Sequence, residues 1–511
     1  MGMMNSIATR TMLNLPIGNA SAKASTGQQR VSYYRLADVT IVDQPCRGLA
    51  CFVARHSRGA AWDAFSPQQP KIYCLGKCYA APACALDQAR PHVTIDAPYG
   101  IVLCRLVHGG ARSLTKYMAT EGYRALSEWI RKRPEEIINE IEKSGLRGRG
   151  GAGFPTGKKW RAVAAQAANT KYVVANADEG DPGAYIDRFL LEDDPHAIIE
   201  ACVLAGYAVG ASKGTVYVRK EYPDAQRIVS TAIAEARQAG FLGPNVAGSR
   251  VAFELDIFSG QGSYVCGEET AMLNSMEGRP PTVRSRPPFP AQRGLWGRPT
   301  LVNNVETLAN IPWILRHGGE AYRALGFSHS RGTKVVSLNS LFQRPGLYEV
   351  EFGVSVRHVV EDLGGGLRGG AVRGVIIGGP LAGIVPPHLF DTPFGFEELQ
   401  QVGASVGHGG VIAFDEQTTL PQLMHHVFEF AAEESCGECT PCRIGSRAVE
   451  QIFRPVLKNE KASPGDQAFV QEVVSALQAT SLCGLGTGLA DFALSALKYY
   501  PVEVASAFRQ D

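Results

Sequence analysis

"KYVVANADEGDPG", residues 171–183, passes from apolar to acidic within one short stretch: Tyr172, Val173, Val174 and Ala175 are followed by Asn176, Asp178, Glu179 and Asp181. The apolar run predicts a buried strand, and polar residues gathered at a strand end are typical ligand positions of open α/β sheets. Working outward, "TVYVRKEYPDAQRIVSTAIAEARQAG" (215–240) reads as a strand and then an amphipathic helix. Upstream, "RPEEIINEIEKSGL" (133–146) sets Ile137, Ile138, Ile141 and Leu146 at helical spacing, with Pro134 near the start. "AIIEACVLAGYAVGA" (197–211) is the most apolar stretch, but Glu200 and its glycines mark a buried helix, and no run reaches the ~18 apolar residues of a membrane span. This β–α alternation predicts a layered α/β domain over 116–330.

The rest of the chain of 511 residues divides around that domain. Residues 1–30 contain no acidic residue and read as a disordered tail, with a transit peptide as the alternative. "VSYYRLADVTIVDQP" (31–45) and "HVTIDAPYGIVLCRLV" (92–107) are β-rich and bracket a small α/β module of residues 31–115. From "TKVVSLNS" to "GGVIAFDE", short strands alternate with turns such as "GGGLRGG" and "IIGGPLAG", which predicts a β-grasp-like (ubiquitin-like) module over 331–415. Residues 416–511 read as a helical bundle. The balance of 51 basic and 49 acidic residues argues against a nucleic-acid binder. With no secretory signal, a reducing, cytoplasmic setting is expected, where disulfides are disfavoured.

Of the 12 cysteines, ten cluster toward the two ends, and only Cys202 and Cys266 lie between. "EESCGECTPCRIG" (433–445) carries Cys436, Cys439 and Cys442, and "SLCGLGTG" (481–488) supplies Cys483 as the fourth thiolate. Three ligands on one turn and a distant fourth suit the corners of a [4Fe–4S] cube. Structural zinc, the alternative, more often uses two paired knuckles. Near the N-terminus, Cys46-x4-Cys51 and Cys74-x3-Cys78 form two pairs that suit a [2Fe–2S] rhomb or a zinc ion.

"GLRGRGGAGFPTGKKW" (145–160) has six glycines, which let a backbone approach a flat ligand or a phosphate. It is not a Walker loop, because Lys158 is followed by Lys159, nor the strand-borne GxGxxG of a classical dinucleotide fold, because a helix precedes it. "GSYVCGEETAMLNSMEG" (262–278) puts Glu268 and Glu269 at a predicted helix start, where acidic residues also serve as ordinary caps.

"GRGGAGFPTGKKW", "NADEGDPG", "YVCGEETAMLNSMEG", "PPFPAQRGLWGRPTLVNNVETLAN" and "ESCGECTPCRIG…SLCG" together resemble the NADH-binding flavoprotein subunit of respiratory complex I. The same unit serves as the diaphorase subunit of NAD-reducing hydrogenases and NAD-dependent formate dehydrogenases. The resemblance covers residues 120–511, while residues 40–90 look like a shortened copy of the family's thioredoxin-like [2Fe–2S] subunit.

The resemblance implies an FMN site. Gly148, Arg149, Gly150, Gly151 and Lys159 match the loop that holds flavin and phosphate. Asn176, Asp178, Glu179, Tyr264, Gly267, Glu268, Glu269, Asn303 and Asn304 match positions around the ribityl chain and ring. NAD(H) would stack over the flavin against Phe154 and Phe289, with Glu179, Asp181 and Arg286 nearby. Three positions depart from the family pattern: Asp181 stands where Glu is usual, Arg286 where Lys is usual, and Ala162 where an aromatic is common.

The implied activity is hydride exchange between NAD(H) and FMN, with single electrons passed to iron–sulfur clusters. No side chain need act as a nucleophile, so no catalytic residue is nominated. Partners would be the iron–sulfur and catalytic subunits of a hydrogenase or formate dehydrogenase complex. The alternatives are a complex I flavoprotein subunit and a nucleotide-inactive iron–sulfur relay or assembly subunit.

Overall fold

In the computed structural model, which describes residues 45–59, 72–85 and 87–509, two main sheets organise the fold. Its strands in chain order are β1 (His92–Asp96), β2 (Tyr172–Ala177), β3 (Lys213–Val218), β4 (Glu254–Ser259), β5 (Thr300–Asn304), β6 (Gly326–Phe327), β7 (Ser330–Arg331), β8 (Thr333–Leu338), β9 (Gly346–Glu351), β10 (Gly374–Ile377), β11 (Ile384–Val385) and β12 (Gly410–Phe414). The first sheet has the order β4-β3-β2-β5, and every neighbouring pair is parallel. The chain moves outward from β2 to β3 and β4, then returns to the other side of β2. The carboxyl ends of β2 and β5 therefore border the crevice at which open α/β sheets bind ligands. Register sets Asn176 of β2 beside Asn304 of β5.

The predicted buried helix is Pro195–Val209, in which every residue but Tyr207 is buried. Its apolar side chains contribute roughly 1.5–3 kcal/mol each when fully buried. Glu200 is tolerated inside because its carboxylate accepts from the Tyr117 hydroxyl (2.5 Å), Tyr123 N (3.0 Å) and Leu126 N (2.9 Å). Left unpaired, such a group would cost about 1–3 kcal/mol. The helix Pro134–Ser144 likewise buries Ile137, Ile138 and Ile141, and ends at Gly145, whose φ of 69° is the left-handed cap that glycine allows.

The second sheet is mixed, with the order β1-β9-β8-β12-β10-β11. This sheet also takes in part of residues 31–115. Residues 31–44 lie outside the described residues, as does the tail 1–30. The described remainder carries no sheet of its own: β1 pairs in parallel with β9, more than 250 positions on, from His92↔Gly346 to Asp96↔Val350. The reason is a buried carboxylate on β9. Glu349 accepts the backbone N–H groups of Ile101 (2.9 Å), Val102 (3.0 Å) and Leu103 (2.8 Å), which pins the segment after β1 onto this sheet.

The C-terminal region is helical, as expected, with Leu420–Glu434, Ser446–Phe453, Asp466–Thr480, Gly484–Tyr499 and Pro501–Ala505. Its apolar faces join one core with β8 to β12 and with the cysteine loops near residue 50. Among the described residues, no helix is long and apolar enough to cross a membrane.

Candidate functional site

A cavity of ≈ 390 Å³ opens at the β2–β5 crevice. Gly150, Gly151 and Ala152 of the glycine loop line it, with Asn176, Asp178, Glu179, Gly180 and Asp181 from the end of β2. The loop is closed by Gly148 N donating to Phe154 O (2.9 Å) and Thr156 N to Leu146 O (2.9 Å). It lies so near the strand ends that a Cβ on Gly150 would stand 2.9 Å from the Asn304 Cβ. The second sheet closes the cavity with Gly378, Leu381, Ser405, Gly407 and His408, and the C-terminal segment with Cys483, Gly484, Leu485, Thr487, Gly488 and Asp491.

The carboxylates are held in different ways. Asn176 Nδ2 donates to Gly267 O (2.9 Å), joining β2 to the segment that carries Glu268. Glu179 is buried and accepts from Ile186 N (2.5 Å), Asp187 N (2.9 Å), Arg188 N (3.1 Å) and the Tyr222 hydroxyl (3.1 Å). Burial and the Asp187 charge push the Glu179 carboxyl up to about 7. Burial also pushes Asp178 well above the ordinary carboxylate range. Asp181 accepts from the Tyr264 hydroxyl (2.7 Å). Glu268 caps the helix Glu269–Met276, accepting from Thr270 N (2.8 Å) and Ala271 N (2.9 Å).

Several expected residues stand beside the cavity rather than in its lining. Arg149 is fully buried and turned away, with its guanidinium donating to the Tyr322 hydroxyl (2.8 Å) and Arg331 O (2.7 Å). Lys159 Nζ donates to Glu269 Oε2 (3.0 Å) and Val302 O (3.2 Å). Arg286 reaches both Glu268 and Glu269 at 3.6 Å, so these four charges form one network. Asn303 accepts from Trp160 Nε1 (2.9 Å), fixing the helix Thr156–Ala164 against β5. Phe154 and Phe289 are each 52% exposed. Sequence reasoning missed Asp187 and His408, which the fold brings to the cavity from distant segments; the only trace of the second was a histidine between glycines in "GHGG".

Both cysteine quartets converge near this cavity. Cys442 sits in a wide helical turn, Pro441–Gly445, and Cys483 caps the helix Gly484–Tyr499. Burial pushes the Cys442 thiol up to about 12, and Cys439, Cys483 and Cys436 each add to the rise. Cys436 and Cys483 pack on Val265 and Ala271, beside the segment that lines the cavity. At the other end, Cys46, Cys51, Cys74 and Cys78 are all buried. The Cys74 and Cys78 sulfurs lie 3.7 Å apart, and Ala83 N donates to Cys51 Sγ (3.4 Å). Hydrogen bonds from Cys46 and Cys78 hold the Cys74 thiol well below its ordinary range. Arg219 ties this quartet to the cavity wall, donating to Cys74 O (3.0 Å) and also to Glu179 O.

A cofactor crevice at the switch point of a parallel sheet, sharing a wall with a thiol quartet, defines a redox protein that joins an organic cofactor to a metal cluster. The comparisons with known proteins agree. The Nuo51 FMN-binding domain matches residues 141–313, and the NADH-ubiquinone oxidoreductase-F iron-sulfur binding region matches 422–507. The HndC subunit of the NADP-reducing hydrogenase of Solidesulfovibrio fructosivorans is 42% identical over 392 residues, 76% of this chain and 80% of the relative. The F subunit of the NADH-quinone oxidoreductase of Escherichia coli (strain K12) is 38% identical over 401 residues, 78% and 90% of the two chains. The solved structure of an NAD+-reducing [NiFe]-hydrogenase in the air-oxidized state superposes with a TM-score of 0.77 at 29% identity, covering 92% of this chain and 85% of that one. The chain belongs to the family of NADH-quinone oxidoreductase F subunits, whose members are oxidoreductase components with an FMN domain and an iron–sulfur region.

The cavity fits a group with the polarity of FMN. Asp178 Oδ2, Glu268 Oε1 and His408 Nδ1 are buried with no hydrogen-bond partner, and all three residues line the cavity. Buried orphans of this kind are expected where a ligand completes the bonding. Gly150 and Gly267 leave the room that side chains would take.

Proposed function

We propose that this chain is the diaphorase subunit of a larger redox complex, exchanging hydride between NAD(H) and FMN and passing single electrons to iron–sulfur clusters. The observation that carries this reading is Cys483 in the wall of the cavity, on the same lining as Asp178, Glu179 and the glycine loop. When bound, FMN would supply the step between two-electron and one-electron chemistry. The chain's own part is to hold and screen it: Gly150 and Gly151 admit it, Asn176, Asp178, Glu268 and Asn304 offer polar contacts, and the second sheet covers it from water. Phe154, Phe289, Arg286 and Asp181 are the proposed NAD(H) contacts.

Cys436, Cys439, Cys442 and Cys483 are the proposed [4Fe–4S] ligands, and Cys46, Cys51, Cys74 and Cys78 the proposed [2Fe–2S] ligands. The order β9-β8-β12-β10-β11 supports reading 331–415 as β-grasp-like. The partners would be the iron–sulfur and catalytic subunits of a hydrogenase-type or complex I-like assembly.

The visible spectrum tests the reading. Purified, reconstituted protein should show a flavin band that NADH bleaches, over a broad iron–sulfur absorbance. A relay or assembly protein would keep the iron–sulfur absorbance and lack the flavin, and a zinc protein would be colourless.

A further inference from the structure

The cavity lining is acidic, with Asp178, Glu179, Asp181, Asp187, Glu268 and Asp491, and among the described residues that line it His408 is the one basic side chain. The neighbouring cations are committed elsewhere. Arg149 donates to Tyr322 and Arg331, Lys159 to Glu269, and Lys334 to Glu306. His408 is 6% exposed. Its Nε2 lies 2.8 Å from Asp187 Oδ2 and 3.7 Å from Glu179 Oε1, while its carbonyl accepts from Lys334 Nζ (3.1 Å). Its Nδ1 is buried with no partner.

A hydride entering this cavity brings one proton and two electrons, leaving NAD+ behind and adding one negative charge among six carboxylates. We propose that His408 balances that charge: Asp187 anchors Nε2, and the protonated ring in the cavity wall stabilises bound FMN more when reduced than when oxidised. This rests on the FMN reading and adds the group that sets the cofactor's potential. His408 neither gives nor receives a proton in the exchange. Burial opposes its charged form, but Asp187 and Glu179 outweigh burial and raise the imidazole to about 10, so its charge persists through neutral pH. The charged groups facing it are Asp187, Glu179 and Asp181, with Lys334 of β8 opposing and itself paired to Glu306.

The test is a spectroelectrochemical titration of FMN in the full chain, for wild type, His408→Gln and Asp187→Asn. Glutamine keeps an amide where Nε2 meets Asp187 and removes both the charge and the Nδ1 donor. The expected result is a roughly ten-fold loss of preference for reduced over oxidised FMN, about 30 mV more negative for a two-electron couple, with oxidised FMN still bound by fluorescence titration. Asp187→Asn, which weakens the hold on the proton, should add a pH-dependent fall in potential between about pH 6 and 9. An unchanged potential in FMN-loaded His408→Gln overturns the inference. Should that variant not fold, a wild-type pH slope in Asp187→Asn overturns it equally. A wild-type protein that takes up no FMN would instead overturn the reading of the cavity itself.

Discussion

Cys436, Cys439 and Cys442 lie on one turn, and of the C-terminal four only Cys442 is buried; Cys46, Cys51, Cys74 and Cys78 come from two separate segments, with Cys51 on the helix Leu49–Ser57, and each is 2% exposed or less. The first set is prepared by local geometry, since Gly437 takes a φ of 81° and the Leu485 and Gly486 amides point at the Cys483 sulfur. The second set is brought together by distant elements that hold its two segments in place. Arg219 donates to Cys74 O, Arg188 to Gly76 O (3.1 Å), and Ser340 N to Cys78 O (2.9 Å). A site carried on a turn survives in sequence as spacing, whereas a site gathered from separate segments depends on the packing behind it.

Cys483→Ala should separate the two cysteine sites most strongly. The C-terminal site should lose roughly four irons per chain while the FMN band remains, because the flavin contacts come mainly from the α/β domain. Iron analysis and low-temperature EPR of the NADH-reduced variant check this, and an unchanged signal would rule out Cys483 as a ligand.

Arg219→Met tests the dependence of the N-terminal quartet on packing. Arg219 and Glu221 form a buried pair at 3.0 Å, and breaking such a pair costs about 3–5 kcal/mol. The variant should lose the N-terminal pair of irons and keep the C-terminal set. Loss of both in equal measure, read by iron content and EPR, would erase the contrast between the two sites.

Glu450→Gln probes the helices that carry the C-terminal turn. Burial alone would raise the Glu450 carboxyl, but hydrogen bonds to His425 and Arg454 hold it at about 2, against an ordinary 4.5. Because the folded value is depressed, its stabilisation is present above pH 4.5 and is lost as pH falls through about 2. The variant should be less stable by about 1–2 kcal/mol at neutral pH, since the Arg454 partner is solvent-screened, and the gap should close toward pH 2. Urea midpoints of wild type and variant along that range check both the size and the sign.

The smallest expected effect concerns the nucleotide. A carboxylate beside the adenosine ribose favours a free 2′-hydroxyl and repels a 2′-phosphate. We expect NADH preference, with Asp181→Asn raising relative NADPH activity about ten-fold, or ~1.4 kcal/mol. The Tyr264 hydroxyl at 2.7 Å holds the Asp181 carboxylate in the cavity wall. An unchanged NADPH-to-NADH ratio in steady-state assays would show that Asp181 reads no ribose.

The elements legible from the residues alone are those whose signal is short-ranged. The helix Pro195–Val209 follows from an apolar run, the polar end of β2 from the switch out of it, and the thiol turn from spacings of three, because each depends on neighbours within a few residues. Tertiary structure alone decided the rest. Nothing near His92 announces that its strand joins Gly346–Glu351, nothing in "GHGG" says that His408 meets Asp187, and nothing in the glycine loop says that Arg149 donates to Tyr322 and Arg331. These outcomes are set by which buried charge finds which distant partner. That is a property of the packed whole, because desolvation penalises every ion left unpaired and rewards only the arrangement in which partners meet.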